Sequence, residues 1–227
     1  MNALKETRLV QVRTRILKQN DIAARALREE FLASDVCAIS LVSSPGAGKT
    51  AFLEAVLGRL APRYRVAALV GDLATDNDAR RLARSGVPVR QITTGTVCHL
   101  EAEMVRAALA DWDLRGLDFL FIENVGNLVC PATFDLGEQI RTVLFSVTEG
   151  EDKPLKYPTI FNTADVAVIT KVDLAQVVDC DLQAVYHNVQ SIRPGIEVLE
   201  VSAKTGQGLD QWLAFVERSR RRQLQVV

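Results

Sequence analysis

The sequence predicts an α/β fold in which a mostly parallel central sheet is flanked by helices and preceded by an N-terminal helical extension. Short apolar runs without polar alternation, typical of strands buried on both faces, recur along the chain. Segments with helical apolar spacing separate these runs, and this alternation favours parallel strands joined by helices. The sequence contains no internal repeat and no low-complexity linker, so we predict one core domain.

The predicted elements follow one another in a regular order. The predicted strands with their turns are 36–42, 65–72, 87–95, 117–126, 141–150, 163–173 and 196–206. The predicted helices are 20–32, 49–61, 77–86, 99–112, 181–195 and 208–223. We therefore divide the chain into a helical extension, residues 1–34, and a core domain, residues 35–227.

The extension contains one segment with a helical pattern, "NDIAARALREEFL". Asn20 or Asp21 is a suitable residue to cap its amino end. The apolar residues of the segment fall near one helical face, namely Ile22, Ala26, Leu27 and Phe31. We expect this face to pack against the core domain.

Composition excludes several classes of protein. The residues are 48% apolar and 24% charged, and the net charge of −1 gives no bulk attraction to nucleic acid or to a membrane. No apolar run approaches the roughly 18 residues of a spanning helix. The charged segment 1–19 lacks the apolar region of a signal peptide, so we expect a cytoplasmic protein. The basic segment 218–222 suits the carboxyl end of a helix and does not by itself indicate nucleic acid.

The segment "SSPGAGKT", residues 43–50, lies between the first strand and a helix, where a phosphate-binding loop is found. Glycines at 46 and 48 let backbone N–H groups point at phosphate oxygens. Lys49 is expected to reach the β- and γ-phosphates, and the Thr50 hydroxyl to bind Mg²⁺. Ser43 stands where the strict pattern has glycine. The predicted loop contacts are Pro45, Gly46, Ala47, Gly48, Lys49, Thr50 and Ala51.

Two later segments predict that the base is guanine. The carboxylate of Asp173 in "TKVD" can accept from guanine N1–H and its exocyclic amine together, while the stem of Lys171 lies along the base. Thr170 occupies the place of an asparagine in the strict motif. The backbone of "SAK" is expected to donate to guanine O6 from Ser202, Ala203 and Lys204. GTP is therefore preferred over ATP, and residues 35–227 are predicted to be a GTPase domain.

Hydrolysis needs carboxylates near the phosphates, at the ends of neighbouring strands. Glu123 ends the strand "DFLFIE" and is predicted to bind Mg²⁺, with Gly126 beside the γ-phosphate. Asp72 and Asp76 are candidates to contact Mg²⁺ or to orient the attacking water. An alternative for Asp76, and for Asp78 two residues later, is that the side chain caps a helix.

The segment "TGTVCHLEAEMV" places Cys98 and His99 side by side, and Cys130 follows a neighbouring strand. Two thiolates and an imidazole suit Zn²⁺ or Ni²⁺. Three donors leave a four-coordinate shell incomplete, and neighbouring side chains on a helix diverge. We therefore expect a site shared by two chains. The alternative is a small buried cysteine and a polar histidine at a helix start. Three other residues are expected to take no part, namely Cys37, Cys180 and His187.

These motifs together resemble the HypB family, GTPases that serve nickel insertion into nickel–iron hydrogenase. The similar segments are "SSPGAGKT", "GDLATDNDARR", "TGTVCHLEAEMV", "FIENVGNLVCPATFDLGE", "KYPTIFNTADVAVITKVDL" and "VSAKTGQGLDQW", and the resemblance runs from about residue 10 to 217. The pairing of adjacent Cys and His with "NLVCP" is specific, because neither belongs to the general nucleotide-binding pattern.

The resemblance implies a P-loop NTPase fold of the class that dimerises across its nucleotides, with Cys98, His99 and Cys130 binding Ni²⁺ or Zn²⁺ at the dimer interface. It implies that GTP favours the homodimer and that hydrolysis is coupled to nickel transfer. The N-terminal segment would dock the metallochaperone HypA, and the client would be the hydrogenase large subunit. The chain lacks the cysteine-rich start of some members and has two histidines in all, so any transfer is expected to use this site alone.

Three alternatives remain. A urease-type nickel GTPase shares the phosphate loop, although that family places a proline between its Cys and His. A regulatory GTPase would signal its nucleotide state without any metal. A small-molecule kinase uses a similar loop but lacks paired base contacts of the "TKVD" and "SAK" type.

Overall fold

The chain folds into alternating strands and helices. The computed structural model describes residues 2–73 and 76–226, and side chains within 14–73 and 76–225. The helices are α1 (Asn2–Ala33), α2 (Lys49–Leu60), α3 (Asn77–Ala83), α4 (Ala102–Leu109), α5 (Lys153–Lys156), α6 (Pro158–Thr163), α7 (Leu182–Ile192) and α8 (Leu209–Val226). The strands are β1 (Cys37–Ser43), β2 (Val66–Asp72), β3 (Val89–Thr93), β4 (Phe119–Glu123), β5 (Ile140–Ser146), β6 (Val166–Thr170) and β7 (Glu197–Val201).

The strands of the described residues form one sheet in the order β3-β2-β4-β1-β5-β6-β7, and every neighbouring pair is parallel. The predicted α/β fold with a parallel sheet and flanking helices is thereby confirmed. Because all strands run the same way, their carboxyl ends meet at one edge. Pairing of Leu41 in β1 with Glu123 in β4 brings the phosphate loop beside the end of β4.

Both faces of the sheet are covered, which explains the continuous apolar runs. All seven residues of β1 are buried. Ile39 and Leu41 belong to the core under α2 and α8, which is centred on Phe52 and Trp212. Ala38 belongs to the core under α1 and α4 on the opposite face. Alternate side chains of one strand thus face two different cores.

Helix α1 differs from the prediction in where it begins and which face it buries. It runs continuously from Asn2, so Asn20 lies inside the helix and the predicted cap there is wrong. Ile22 is 69% exposed, whereas Ala24, Leu27 and Phe31 are fully buried. The buried stripe is therefore displaced from the predicted one, and it packs on β1, β2 and α4. The division at residue 34 follows the end of α1 and stays a prediction.

Helix α1 is also bonded to the loop before β5. Nη2 of Arg28 lies 2.7 and 2.8 Å from the two carboxylate oxygens of Asp135, and the two side chains form an ion pair. Gly137, with φ of 79°, follows so closely that a Cβ there would lie 2.7 Å from the Ala24 carbonyl oxygen. The last turns of α1 are therefore part of the core.

Among the described residues, no helix combines the length and the apolar character needed to cross a bilayer.

Replacing Gly208 by alanine should destabilise the protein strongly. Its φ is 74°, and a Cβ there would lie 1.7 Å from the Glu200 carbonyl oxygen, so the backbone next to α8 must shift. We expect Gly208→Ala to lower the free energy of unfolding by more than about 2 kcal/mol. Chemical denaturation measures this.

The matched control is Gly58→Ala, since Gly58 is exposed within α2 and a Cβ there meets nothing within 4 Å. That variant should raise the free energy of unfolding by about 0.5–1 kcal/mol. Equal stability of the two variants would contradict the close approach at position 208.

Candidate nucleotide and metal site

Two adjoining cavities lie at the carboxyl edge of the sheet. One, of about 440 Å³, is lined by residues 45–51 of the phosphate loop and by the ends of β2 and β4. The other, of about 220 Å³, is lined by the ends of β6 and β7. Gly48 and Ala51 line both. The arrangement offers a polar chamber for phosphates beside a more apolar slot for a base.

The phosphate loop has the backbone that its glycines allow. Gly46 and Gly48 have φ of 76° and 93°, in the left-handed region that glycine adopts most easily. Lys49 begins α2 and is buried, and its Nζ donates to the Ser43 hydroxyl over 3.2 Å. Ser43 in turn donates to the carbonyl of Ser44. Ser43, which replaces the glycine of the strict motif, therefore accepts a hydrogen bond from the buried lysine.

Glu123 closes the phosphate cavity from the side of β4. Its Oε1 accepts a hydrogen bond of 2.7 Å from the Thr50 hydroxyl. Its Oε2 is buried, with no hydrogen-bond partner among the described residues. Burial raises the pKa of Glu123 and lowers that of Lys49. A hydroxyl and a buried carboxylate with a vacant oxygen form a donor set that fits Mg²⁺.

The predicted aspartates divide between the cavity and the surface. Asp72 lines the cavity and accepts from the Leu73 N–H at 2.7 Å. Asp76 does not line it, since its carboxylate pairs with Arg80 at 2.7 Å beside the start of α3. Asp78 lines the cavity instead, together with Arg81, which the sequence analysis did not select.

The base cavity is bordered by the "TKVD" segment. The Thr170 hydroxyl donates to the Ala47 carbonyl at 2.6 Å, so it joins β6 to the phosphate loop. Lys171 Nζ donates to the Gly46 carbonyl at 2.7 Å, and its stem passes over Gly48. Asp173 borders the same cavity. Thr170 and Lys171 are therefore bonded to the phosphate loop, and Asp173 lies on the cavity wall.

The "SAK" segment forms a tight turn after β7. Ser202 is fully buried, and its hydroxyl accepts from the Thr205 N–H at 3.1 Å. Ala203 and Lys204 line the base cavity. The turn thus forms part of the cavity wall.

Cys98, His99 and Cys130 come together in one chain. The two sulfur atoms are 3.0 Å apart, and one donor atom from each residue lies within 4.8 Å of the others. Zn–S and Zn–N bonds of about 2.3 and 2.1 Å need donor separations of about 3–4 Å, so small side-chain rotations suffice. The set fits a soft or borderline cation with one coordination position open.

The environment of His99 supports a ligand role. Both ring nitrogens are buried without a hydrogen-bond partner in the described chain, and Nε2 is 3.6 Å from Glu101 Oε1. The ring packs against Phe134, with centroids 3.9 Å apart. Burial lowers the pKa of His99, so the neutral imidazole that a metal requires is favoured near pH 7.

The predicted helix at residues 99–112 begins later than expected. Helix α4 starts at Ala102, and Cys98 and His99 form a bend before it. The expectation that Cys98 and His99 diverge because they lie on a helix is therefore wrong, whereas a site shared by two chains stays a prediction. The Asn124 side chain accepts from the Leu100 N–H at 3.0 Å, and Asn20 of α1 accepts from the Ala102 N–H at 2.9 Å.

The remaining cysteines and the second histidine lie away from this cluster. Cys37 is buried inside β1, and burial raises the pKa of its thiol to about 12. Cys180 is half-buried, and burial raises the pKa of its thiol as well. His187 is exposed on α7, as predicted. That these three residues take no part in the site stays a prediction.

The sequence analysis missed the residues that hold the site together. Asn20, Asn124 and Asn127 all bond to the segment around the Cys-His pair. Phe134 was also missed, although it lies in the quoted segment "NLVCPATFDLGE". The available signal was the asparagine on each side of "VG" in "ENVGN", directly after the predicted magnesium ligand.

Residues 37–200 match the family model of the CobW/HypB/UreG nucleotide-binding domain. The hydrogenase maturation factor HypB of Azotobacter vinelandii is 47% identical over 217 residues, which is 96% of this chain and 72% of that protein.

Two solved structures are also similar. The crystal structure of HypB from Helicobacter pylori in complex with nickel has a TM-score of 0.85 and 40% identity, covering 90% of this chain and 96% of that one. HypB from Archaeoglobus fulgidus has a TM-score of 0.83 and 37% identity, covering 89% and 99% respectively. With its P-loop fold, its nucleotide cavities and these relatives, the chain belongs to the HypB family of hydrogenase maturation factors.

Proposed function

We propose that this chain is a GTP-hydrolysing metallochaperone that binds nickel or zinc and couples a GTP-dependent homodimer to nickel delivery for hydrogenase maturation. The observation that carries the proposal is the cluster of Cys98, His99 and Cys130, whose donor atoms lie within 4.8 Å of one another. A nickel complex of the Helicobacter pylori relative supports the choice of metal.

The nucleotide part of the proposal follows from the two cavities. Lys49 would bind the phosphates, and Thr50 and Glu123 would hold Mg²⁺, which supplies neutralisation of the charge that develops on the phosphates. Asp72 would orient the attacking water at the same wall, and Gly126 would lie beside the γ-phosphate. The segments "TKVD" and "SAK" would hold the base, and Asp173 would supply the preference for guanine.

The partners are proposed from the family. HypA would dock on the N-terminal helical segment, and the hydrogenase large subunit would receive the nickel in the cytoplasm. A partner chain would complete the coordination shell that three donors leave open. The urease-type alternative predicts the same metal with a different client, whereas a regulatory GTPase predicts no metal at this cluster.

Cys98→Ala should abolish tight metal binding. Equilibrium dialysis with Ni²⁺ and with Zn²⁺ should give about one ion per chain or per dimer for wild type, and the amount should change with a non-hydrolysable GTP analogue and Mg²⁺. The variant loses one of three donors, and we expect its affinity to fall by at least about 100-fold.

Cys180→Ala is the matched control, since Cys180 is half-buried and lies outside the cluster. It should bind metal as wild type does. Equal metal binding by Cys98→Ala and wild type would leave a GTPase with an unrelated thiol at this position.

Asp173→Asn should change the base that is bound. The carboxylate can accept from two guanine donors, whereas an amide accepts one and places its NH₂ against the exocyclic amine. We expect GTP affinity to fall about 10–100-fold. Xanthosine triphosphate, which has a carbonyl at that place, should bind better than to wild type. Fluorescent nucleotide competition measures both.

Asp179→Asn, on the exposed segment that follows, serves as its control and should keep wild-type GTP affinity. Unchanged GTP affinity in Asp173→Asn would show that the small cavity does not hold the base.

A further inference from the structure

Asn127 lies between the two segments that carry the metal donors. Its Nδ2 donates to the Cys98 carbonyl at 3.2 Å, and its Oδ1 accepts from the Val129 N–H at 2.9 Å. Val129 directly precedes Cys130. One amide side chain therefore fixes the backbone of both cysteines relative to each other.

Asn127 also directly follows a residue that packs on the phosphate loop. Gly126 precedes it and packs so closely on Pro45 that a Cβ at position 126 would lie 3.1 Å from Pro45 Cα and 3.2 Å from Pro45 N. Gly126 also lines the phosphate cavity. A ligand that displaces this part of the loop must therefore move Asn127 with it.

Asn124, three residues earlier, has a different structural role. Asn124 is buried, and its Oδ1 accepts from Leu100 N–H and Val125 N–H at 3.0 and 2.9 Å. It thus fixes the chain after the Cys-His pair to the end of β4. Asn127 is half-buried and bonds to the donor segments themselves, so it is the better placed of the two to change their spacing.

We propose that Asn127 is the positioning residue through which nucleotide at the phosphate loop sets the spacing of Cys98 and Cys130, and with it the affinity for metal. This inference rests on the proposed function. Asn127 touches neither the sulfur atoms nor the phosphate loop by a hydrogen bond of its own, so it acts through Cys98, Cys130 and Gly126.

Two variants separate the link from the local turn. Asn127→Ala removes both hydrogen bonds. Asn127→Ser keeps an acceptor for the N–H two residues ahead, as serine does in turns, but is too short to reach the Cys98 carbonyl. Competition with a chromophoric chelator gives Ni²⁺ affinity in the GDP state and in the state with Mg²⁺ and a non-hydrolysable GTP analogue.

Both variants should bind Ni²⁺ about 10–100-fold more weakly than wild type. The ratio of affinities between the two nucleotide states should fall to about one. The Ni–thiolate absorption band should shift as the sulfur spacing relaxes, while GDP affinity and Tm stay at wild-type values. The matched control is Asn188→Ala in α7, which removes a 2.9 Å bond from Asn188 to the Glu151 carbonyl and should leave every readout unchanged.

The outcomes distinguish failure of this inference from failure of the proposed function. A wild-type ratio in Asn127→Ser, or a wild-type protein whose Ni²⁺ affinity ignores the nucleotide, overturns the role of Asn127 even when Cys98→Ala has lost its metal. Full metal binding by Cys98→Ala overturns the proposed function itself.

Discussion

The hydrogen bond between the Thr50 hydroxyl and Glu123 joins the phosphate loop to the middle of the sheet, and the site depends on it. Glu123 is the last residue of the buried strand β4, and both Glu123 and Lys49 are buried. Burial disfavours the charge on both the lysine and the glutamate, as the opposite directions of their pKa shifts show. An anionic phosphate next to Lys49 and a divalent cation next to Glu123 would each favour the charged form. The loop is therefore held ready by its scaffold and completed electrostatically by its ligand.

The same short stretch of chain serves both the phosphates and the cysteine cluster. Residues 123–127 begin at the last residue of β4. Their contacts are, in turn, with the phosphate loop, the Leu100 N–H, the loop again and the Cys98 carbonyl. Since β4 lies between β1 and β2, this stretch cannot shift freely in the plane of the sheet. Any change in its path is passed to the segments packed on either side. Proximity of the two sites is thus a consequence of strand order and does not need a dedicated connecting element.

The sequence predicts the parts of the structure that depend on local chemistry. The strands, the glycine-dependent phosphate loop and the base-cavity segments follow from runs of apolar residues and from turns that need particular residues. Contacts between distant segments leave no such pattern. Asn20 has the composition of a helix cap, and it does cap a helix, but the helix is α4, 82 residues away, and not its own. The bend at Cys98 and His99 likewise depends on Asn124 and on packing against Phe134. Because the apolar spacing does not show these contacts, the predicted helix included His99.

A cluster of three donors, with no fourth Cys, His, Asp or Glu donor atom within 4.8 Å of all three in the described chain, would suit a metal that must later leave. A closed set of four ligands stabilises a fold and holds its ion throughout, whereas an open position admits a ligand from another molecule. Here the donors are carried by a bend before α4 and by the 3₁₀ turn Cys130–Thr133, and hydrogen bonds fix their backbone from one side. Val129, next to Cys130, is 63% exposed, although its N–H is bonded to Asn127. Under the proposed function, an incoming donor would approach the ion there and would take the place of the three ligands as they release it.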